Sequence, residues 1–392
     1  MDQIRIRAYN VLFGDAILVT IPDRNENGII EKRHILIDVG NAFGDKGGQN
    51  DVFEPVLDNI LKELNNNPLD LYIMTHEHMD HIQGLLYSKR NKFKKLDEKL
   101  NTRYAWLTAS SEPEYYTNND KARRHHLNSL NTLNAIKDYL SVTDQETIHD
   151  FVRNIMWINN PNVTEDCVDF LRGLAEKTFY VHSDFTITKG IHHPFNEAEF
   201  EIWAPEADTS VYYGRFYPMA LNIIINKAKK GKVELINEIP PKGVDAGSFY
   251  NLIEKRKSFS ENLLTIDQAK NNTSIVFCLK WRKWRLLFTG DAEERSWKEM
   301  NKRKKLKNVH FIKISHHGSH NGTPKSQLLD KILPLRPNDN IKPIALLTSY
   351  QNVYNNVPDS DTIGRLRERC ENIHVVHEET DPGGYIDIFF DA

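Results

Sequence analysis

The chain has 392 residues, of which 40% are hydrophobic and 27% charged, and its formal net charge is −3. This mixture excludes wholesale disorder, and the near-neutral charge excludes a uniformly basic nucleic-acid binder, though not a local basic groove. No apolar run approaches the roughly 20 residues of a membrane span, and the first residues lack the apolar stretch of a secretory signal, so we expect neither segment.

Three cysteines lie far apart in the sequence, at Cys167, Cys278 and Cys370. An odd number at this spacing forms neither a disulfide framework nor a zinc-knuckle pattern. We therefore expect a protein of the reducing cytoplasm.

The first part of the chain predicts strands, a helix and a further strand. Alternating apolar residues bounded by turn-forming residues predict strands at Ile4–Tyr9, Ala16–Ile21 and His34–Asp38. Apolar residues at helical spacing predict a helix over Asp51–Leu64. The apolar segment Leu69–Met74 then predicts a buried strand that leads directly into a histidine-rich loop.

Two later regions break this pattern. Residues 111–198 are polar, rich in histidine and helical in spacing, so they predict a helical insertion, and the lysine-rich residues 206–265 predict a second insertion. The predicted strands around them are Trp106–Ala109, Glu199–Ala204, Ser274–Leu279, Arg285–Phe288, His310–Ile314, Ile344–Thr348, Ile373–Val376 and Tyr385–Phe390. Helices separate most of these strands, so we predict an α/β fold with two packed sheets flanked by helices, in a single domain over residues 1–392.

Three histidines and one aspartate fall within six residues directly after the strand Leu69–Met74, as His76, His78, Asp80 and His81. Histidines two residues apart on an extended loop point to the same side and can hold one cation. Asp80 and His81 lie where a helix begins and can hold a second cation. Imidazole together with carboxylate suits Zn²⁺, with Mn²⁺ or iron as alternatives.

Two further strand ends carry residues of the same kinds. Asp291 follows the strand Arg285–Phe288 across a glycine that lets the chain turn sharply, which places its carboxylate at the strand tip. His316 and His317 follow the strand His310–Ile314 in the same way. We predict that Asp291 bridges two cations, that one histidine ligates the second cation, and that the other is free to donate a hydrogen bond or a proton.

These segments resemble those of the metallo-β-lactamase fold superfamily and, within it, the soluble hydrolase domain of ComEC-type competence proteins. The segments that carry the resemblance are Val11–Ala16, Leu36–Gly40, His76–His81, Asn271–Val276, Leu287–Ala292 and His316–Ser319. The resemblance covers most of the chain outside the insertions, and it implies an αββα sandwich with a hydrolase site. Leu12, Phe13 and Thr273 depart from the subgroup's pattern, and the histidine that usually precedes the late aspartate has no match in a recognisable motif.

The expected site holds two divalent cations, Zn²⁺ first and Mn²⁺ as the alternative. Its expected ligands are His76, His78, Asp80, His81, Asp291 and His317. We expect His76 and His78 to hold one cation and Asp291 to bridge the two cations. Asp80, His81 and His317 are expected to hold the second. Two cations about 3.5–4 Å apart would share a hydroxide that attacks the scissile bond, and Asp80 or His316 would protonate the leaving group. Asp15 and Asp38 are expected to orient the metal-binding imidazoles.

The resemblance implies that the enzyme is a phosphodiesterase, with DNA or RNA as the expected substrate. Basic residues within 89–95 and 302–307, and the segment Trp281–Arg285, suit phosphate contact and base stacking. A small-molecule hydrolase of the same fold is an alternative, acting on a phosphocholine ester, a cyclic nucleotide or a lactone. A metal-binding module that contacts a protein partner through its insertions is another. A wide basic groove would favour the nuclease, an enclosed aromatic pocket the small-molecule enzyme, and an exposed apolar patch the partner module.

Overall fold

The computed structural model describes residues 2–42, 51–141, 155–213, 263–350 and 357–392. Within these ranges, thirteen strands form two sheets, and helices cover the outer face of each sheet. No helix of the described residues is long and apolar enough to cross a membrane.

The first sheet has seven strands in the order β13-β1-β2-β3-β4-β5-β6. Its strands are β1 Gln3–Tyr9, β2 Ala16–Arg24, β3 Ile30–Val39, β4 Leu71–Met74, β5 Thr102–Thr108, β6 Ala175–Val181 and β13 Tyr385–Asp391. Strands β13, β1, β2 and β3 pair antiparallel, whereas β3 to β6 pair in parallel. The carboxyl ends of β3 to β6 therefore lie at one edge of the sheet.

The second sheet has six strands in the order β12-β11-β10-β9-β8-β7. Its strands are β7 Ala198–Ala204, β8 Val276–Trp281, β9 Trp284–Phe288, β10 Phe311–Lys313, β11 Ile344–Leu347 and β12 Asn372–Val375. Strands β7, β8 and β9 pair antiparallel, and β9 to β12 pair in parallel. The carboxyl ends of β9 and β10 therefore also share an edge.

The helices lie mostly between strands. They are α1 Phe53–Leu64, α2 Met79–Asn91, α3 Leu96–Leu100, α4 Tyr115–Asn118, α5 Asp120–Ser141, α6 Pro161–Arg172, α7 Glu294–Lys302, α8 Ser326–Ile332, α9 Ser360–Arg369 and α10 Val376–Glu379. Helical segments at 155–158 and 263–271 adjoin residues outside the described ranges. In α1 the buried residues Phe53, Val56 and Ile60 recur at helical spacing, and Asn65 ends the helix in a left-handed conformation.

Three apolar clusters hold the layers together. One lies between the sheets and joins Ile6, Ile73 and Trp106 of the first sheet to Phe277 and Phe311 of the second. Another joins the outer face of the first sheet to α1, α2 and α6, and a third joins the second sheet to α7, α8 and α9. The layers therefore follow the order helix, sheet, sheet, helix, and the predicted α/β sandwich is confirmed.

The structure differs from the expectation for the first insertion. Residues 111–198 contain α4, α5 and α6, as their helical spacing predicts, but they also contain β6, which pairs with β5 in the first sheet. The sequence shows no clear apolar strand pattern here because most side chains of β6 are only partly buried or exposed. Of residues 206–265, only the ends are described, with a short 3₁₀ helix at Thr209–Tyr212, and 214–262 lie outside the described residues. The single-domain organisation stays a prediction.

Candidate metal centre

Three loops that follow strands meet at one edge of the sandwich. Strand β4 of the first sheet ends shortly before the loop His76–His81, and α2 begins inside that loop. Strand β9 of the second sheet ends three residues before Asp291, and β10 ends shortly before His317. The two sheets therefore contribute predicted ligands to the same place.

Asp80, His81, Asp291 and His317 form a compact, buried group. Their ligand atoms all lie within 4.8 Å of one another. Asp291 Oδ2 is 3.2 Å from His81 Nε2 and 3.2 Å from His317 Nε2. His317 Nε2 is in turn 3.3 Å from Asp80 Oδ2. The carboxylate of Asp291 thus faces both imidazoles, and these side chains could hold one cation together.

The chemistry of this group fits a divalent cation. Three of its buried atoms, Asp80 Oδ1, His81 Nε2 and His317 Nε2, form no hydrogen bond of good geometry among the described residues, although both nitrogens lie 3.2 Å from Asp291 Oδ2. Such buried polar atoms are rare unless an ion or water satisfies them. Two imidazole nitrogens with two carboxylates form a donor set that Zn²⁺ accepts. The identity of the cation stays a prediction.

His76 and His78 lie directly beside this group. His76 Nε2 is 3.0 Å from His78 Nδ1, and the ring centroids of His76 and His81 are 4.2 Å apart. The other nitrogen of His78, Nε2, lies 3.0 Å from Oδ1 of Asn159. If Nε2 donates its proton to that oxygen, Nδ1 is free to bind a metal. These two imidazole nitrogens converge on each other, but neither histidine belongs to a group of three or more possible ligands among the described residues. Their role in holding a second cation stays a prediction.

The histidines between residues 182 and 193 precede Asp291 in the sequence, but they do not belong to this centre. His182, His192 and His193 each use Nδ1 to accept a backbone amide within their own loop. The ring of His193 also packs against Trp106. None of the three belongs to a group of metal-binding side chains in the described part of the chain.

Oxygen atoms fix the orientation of two predicted ligand rings. Asp38 Oδ2 lies 2.8 Å from Nδ1 of His81, and the same carboxylate accepts hydrogen bonds from the amide and hydroxyl of Thr75. His317 Nδ1 donates to the carbonyl oxygen of Thr348 at 3.0 Å. In both rings Nε2 is therefore the nitrogen that faces Asp291. This orientation is expected where a hydrogen bond to Nδ1 fixes the ring of a metal ligand.

Lys313 is a residue of this site that the sequence analysis missed. Its ammonium is buried, 2.6 Å from Asp15 Oδ2 and 3.2 Å from Asp291 Oδ1. Asp15 was expected to orient an imidazole, but it pairs with this lysine and stays 3.7 Å from His81 Nδ1. Burial opposes ionisation, yet His317, His81 and Lys313 hold the pKa of Asp291 well below its usual range. Asp291 is therefore a carboxylate at neutral pH.

His316 faces a second polar group rather than the first. Its φ of 48° and that of His317, 52°, are both left-handed, and the two ring centroids are 6.3 Å apart. His316 Nδ1 lies 3.3 Å from Glu293 Oε1, and the ligand atoms of His316, Glu293 and Asp267 all lie within 4.8 Å of one another. Asn271 Nδ2 donates to Glu293 Oε1 at 2.8 Å and so holds this group together. Burial lowers the pKa of His316, so its imidazole is neutral at neutral pH.

Comparison with known proteins finds similarity only among solved structures. No protein-family model matches the chain, and no curated protein matches it. One similar structure is the metallo-β-lactamase fold protein YhfI from Bacillus subtilis, at 9% identity over 99% of this chain and 100% of that chain, with a TM-score of 0.38. Another is a long form RNase Z from yeast, at 11% identity over 98% of this chain and 41% of that chain, with a TM-score of 0.34.

Proposed function

We propose that this chain is a metal-dependent hydrolase of the metallo-β-lactamase superfamily, and that it cleaves phosphodiesters at a centre for two divalent cations. The observation that supports the proposal most is the buried group of Asp80, His81, Asp291 and His317, in which three polar atoms form no hydrogen bond of good geometry among the described residues. Divalent cations at such a centre lower the pKa of water and neutralise the charge of a phosphoryl group.

The residues of the chain hold and orient this centre. The buried group of four residues would hold one cation, and His76 with His78 would hold the other, with Asp291 proposed to contribute to both. Asp38 fixes the ring of His81 through its Nδ1. The ammonium of Lys313 neutralises part of the negative charge of Asp291 and leaves Oδ2 of that carboxylate facing the imidazoles.

His316 is the better placed of the two residues predicted to act on the leaving group. Hydrolysis breaks a P–O bond, and the departing oxygen must receive a proton. The side chain of His316 is 23% exposed, whereas that of Asp80 is 4% exposed. Burial opposes ionisation of Asp80, but His81 and His317 lower its pKa, so this carboxylate has no proton to give at neutral pH. We infer that the neutral imidazole of His316 donates a hydrogen bond that stabilises the negative charge on the departing oxygen, which then takes its proton from water.

The basic segments give little support to a nucleic-acid substrate. Many of their side chains form ion pairs, which are Lys89–Asp97, Arg90–Asp166, Lys92–Glu54, Lys302–Glu299, Arg303–Asp184 and Lys307–Glu201. Each carboxylate weakens the positive potential that would attract a phosphate backbone. Trp281, expected to stack on bases, is buried in the core between the sheets. DNA or RNA as the substrate stays a prediction.

The proposed function can be tested with bis-p-nitrophenyl phosphate and protein loaded with Zn²⁺ or Mn²⁺. Asp291→Asn removes the shared carboxylate and should lower both metal content and kcat/KM, the latter by at least about 100-fold, because losing even an outer partner of a metal ligand costs about 10–100-fold. Asp330→Asn is the control, since that carboxylate is 52% exposed and pairs with Arg369. It should leave both quantities unchanged.

Two results would contradict the proposal. Elemental analysis that finds no metal after loading would contradict the proposed metal centre. Metal-loaded protein that cleaves no phosphodiester would contradict the proposed reaction. Circular dichroism of each variant shows whether a loss of activity reflects a loss of folding.

A further inference from the structure

A cavity lies beside the predicted metal centre. Its volume is about 510 Å³, and its walls come from α5, α6, the segment 110–116, the 263–271 helix, Tyr213 and Glu77. Sites for small molecules usually have volumes of about 300–1,000 Å³. Most of the wall belongs to the first region that the sequence analysis predicted as an insertion, so that region builds a chamber onto the sandwich.

The wall of the cavity and the predicted centre share parts of the chain. Glu77 lines the cavity and stands between His76 and His78 in the sequence. Lys270 lines it as well, one turn along the same helix from Asp267, whose Oδ1 is 3.7 Å from His78 Nε2. A molecule in the cavity would therefore lie against the loop that carries the predicted ligands.

Among the described residues of the wall, Lys270 is the cation that is free to bind an anion. It forms no ion pair within the described part of the chain, although Glu77 and Asp267 are near enough to interact with its charge. The other cation among the described residues of the wall, Arg172, is already engaged, because its Nε donates to the Ser111 carbonyl oxygen at 2.8 Å and its Nη1 pairs with Asp169 at 2.5 Å.

Another part of the wall is aromatic and apolar. The rings of Tyr116 and His126 are stacked, with centroids 3.9 Å apart and planes inclined by 16°. Burial, and next the charge of Lys270, lower the pKa of His126 to about 4, so this stacked ring is neutral. Leu133 and Ile266 extend the same wall. A flat ring fits such a surface, because it stacks on the aromatic side chains and buries apolar area.

We propose that this cavity binds a small phosphodiester that carries an aromatic or heteroaromatic ring, with the ring against Tyr116 and the phosphoryl group near Lys270. This inference rests on the proposed function and names its substrate class. The burial of the predicted metal ligands supports this proposal. Their exposed fractions range from 0% for His76 to 3% for Asp80. A centre so enclosed suits a nucleotide-sized ester better than a polymer.

The first test measures binding with no metal present. Chelator-treated full-length protein is titrated calorimetrically with thymidine 5′-monophosphate, which offers a ring and a phosphoryl group. Lys270→Met should raise the Kd at least about tenfold, because a hydrogen bond to a charged group is lost, and Lys270→Arg should stay within about threefold of wild type. Lys189→Met, at an exposed lysine, is the control and should leave the Kd unchanged. Binding that is absent, or equal in wild type and Lys270→Met, overturns the proposal.

The second test uses metal-loaded protein with two esters, thymidine 5′-p-nitrophenyl phosphate and methyl p-nitrophenyl phosphate. Both esters share the p-nitrophenyl leaving group and differ in the thymine ring, which is the ring expected to lie against Tyr116. Tyr116→Leu removes the stacking surface and should raise KM for the thymidine ester about tenfold, and for the methyl ester by less than about threefold. This variant also serves if Lys270→Met fails to fold.

The outcomes separate the cavity from the reaction. If wild-type protein binds thymidine 5′-monophosphate but cleaves neither ester, the proposed function fails and the cavity stands as a binding site. If both esters are cleaved and neither Lys270→Met nor Tyr116→Leu changes either KM, the function stands and the cavity proposal fails. Cleavage of a single-stranded oligonucleotide that is indifferent to both substitutions would likewise overturn it, in favour of a nucleic-acid substrate held elsewhere.

Discussion

Lys313 places a buried positive charge against the carboxylates of Asp15 and Asp291. Removing one partner of a buried ion pair leaves an uncompensated charge in the interior, which costs about 3–5 kcal/mol. We therefore expect Lys313→Met to lower the free energy of unfolding by an amount in this range, as measured by urea unfolding of chelator-treated protein.

The matched control for this prediction is Lys280→Met. The ammonium of Lys280 pairs with Glu199 on the surface, where both side chains are at least half exposed. Exposed pairs contribute about 0–1 kcal/mol, so this substitution should have little effect. If Lys313→Met lowers the free energy of unfolding no more than Lys280→Met does, the buried ammonium is not needed to compensate the two carboxylates.

At the level of residues, the sequence predicted site residues that directly follow an apolar strand and missed Lys313 and Asn159. His76, His78 and Asp291 follow apolar strands within a few residues, so a short window shows both the strand and its polar end. Lys313 offered a signal that was overlooked, a lysine inside the apolar strand β10. Asn159 offered none, because its contact with His78 joins residues 81 positions apart.

At the scale of elements, glycines allow the start of α2 to approach β3. A Cβ built on Gly40, just after β3, would lie 2.5 Å from the backbone of Asp80 and His81. Real Cβ atoms do not approach backbone atoms so closely, so this close approach excludes a side chain. The strand end and the helix start are thus fixed against each other, and two predicted ligands are fixed with them.

We expect Gly40→Ala to push the start of α2 away from β3 and to lower the Zn²⁺ content of the protein, because Asp80 and His81 would move from Asp291. Metal analysis after loading measures the effect, and circular dichroism checks the fold. Gly364→Ala is the control, since a Cβ there meets no atom within 4 Å. That position lies inside α9, where alanine is favoured over glycine by about 1 kcal/mol. Equal metal content in both variants would contradict the prediction.

Sequence patterns predicted the elements better than their partners. The strands β1, β2 and β3 were predicted because alternation and turn residues mark each of them locally. The pairing of β1 with β13 was beyond such reasoning, since it joins Gln3 to Asp391. The strand β6 was missed because a partly exposed edge strand carries no continuous apolar run.

At the scale of the whole molecule, buried histidines occur far from the predicted metal centre as well as within it. His34 in β3 lies beside the hydroxyl of Thr20, with Nδ1 and Oγ1 3.2 Å apart. His193 packs against Trp106 and Phe200. Burial lowers the pKa of each of these two histidines to about 4. The layered core therefore contains imidazoles that are neutral at neutral pH and whose protonation would cost stability.

This burial predicts how stability depends on pH. In the unfolded chain a histidine titrates near pH 6.5, so between about pH 6.5 and pH 4 the unfolded state binds more protons than the folded state. Stability should therefore fall as the pH falls through this window, by up to about 1.4 kcal/mol per pH unit for each such histidine, and these two residues should contribute no slope above it. His34→Gln removes one of these titrating imidazoles, so the dependence of stability on pH should become shallower by up to that amount. Urea unfolding at several pH values with chelator present measures this slope. His320→Gln, at an exposed imidazole, should leave the slope unchanged. If His34→Gln and wild type have the same slope, His34 is not held neutral by the core.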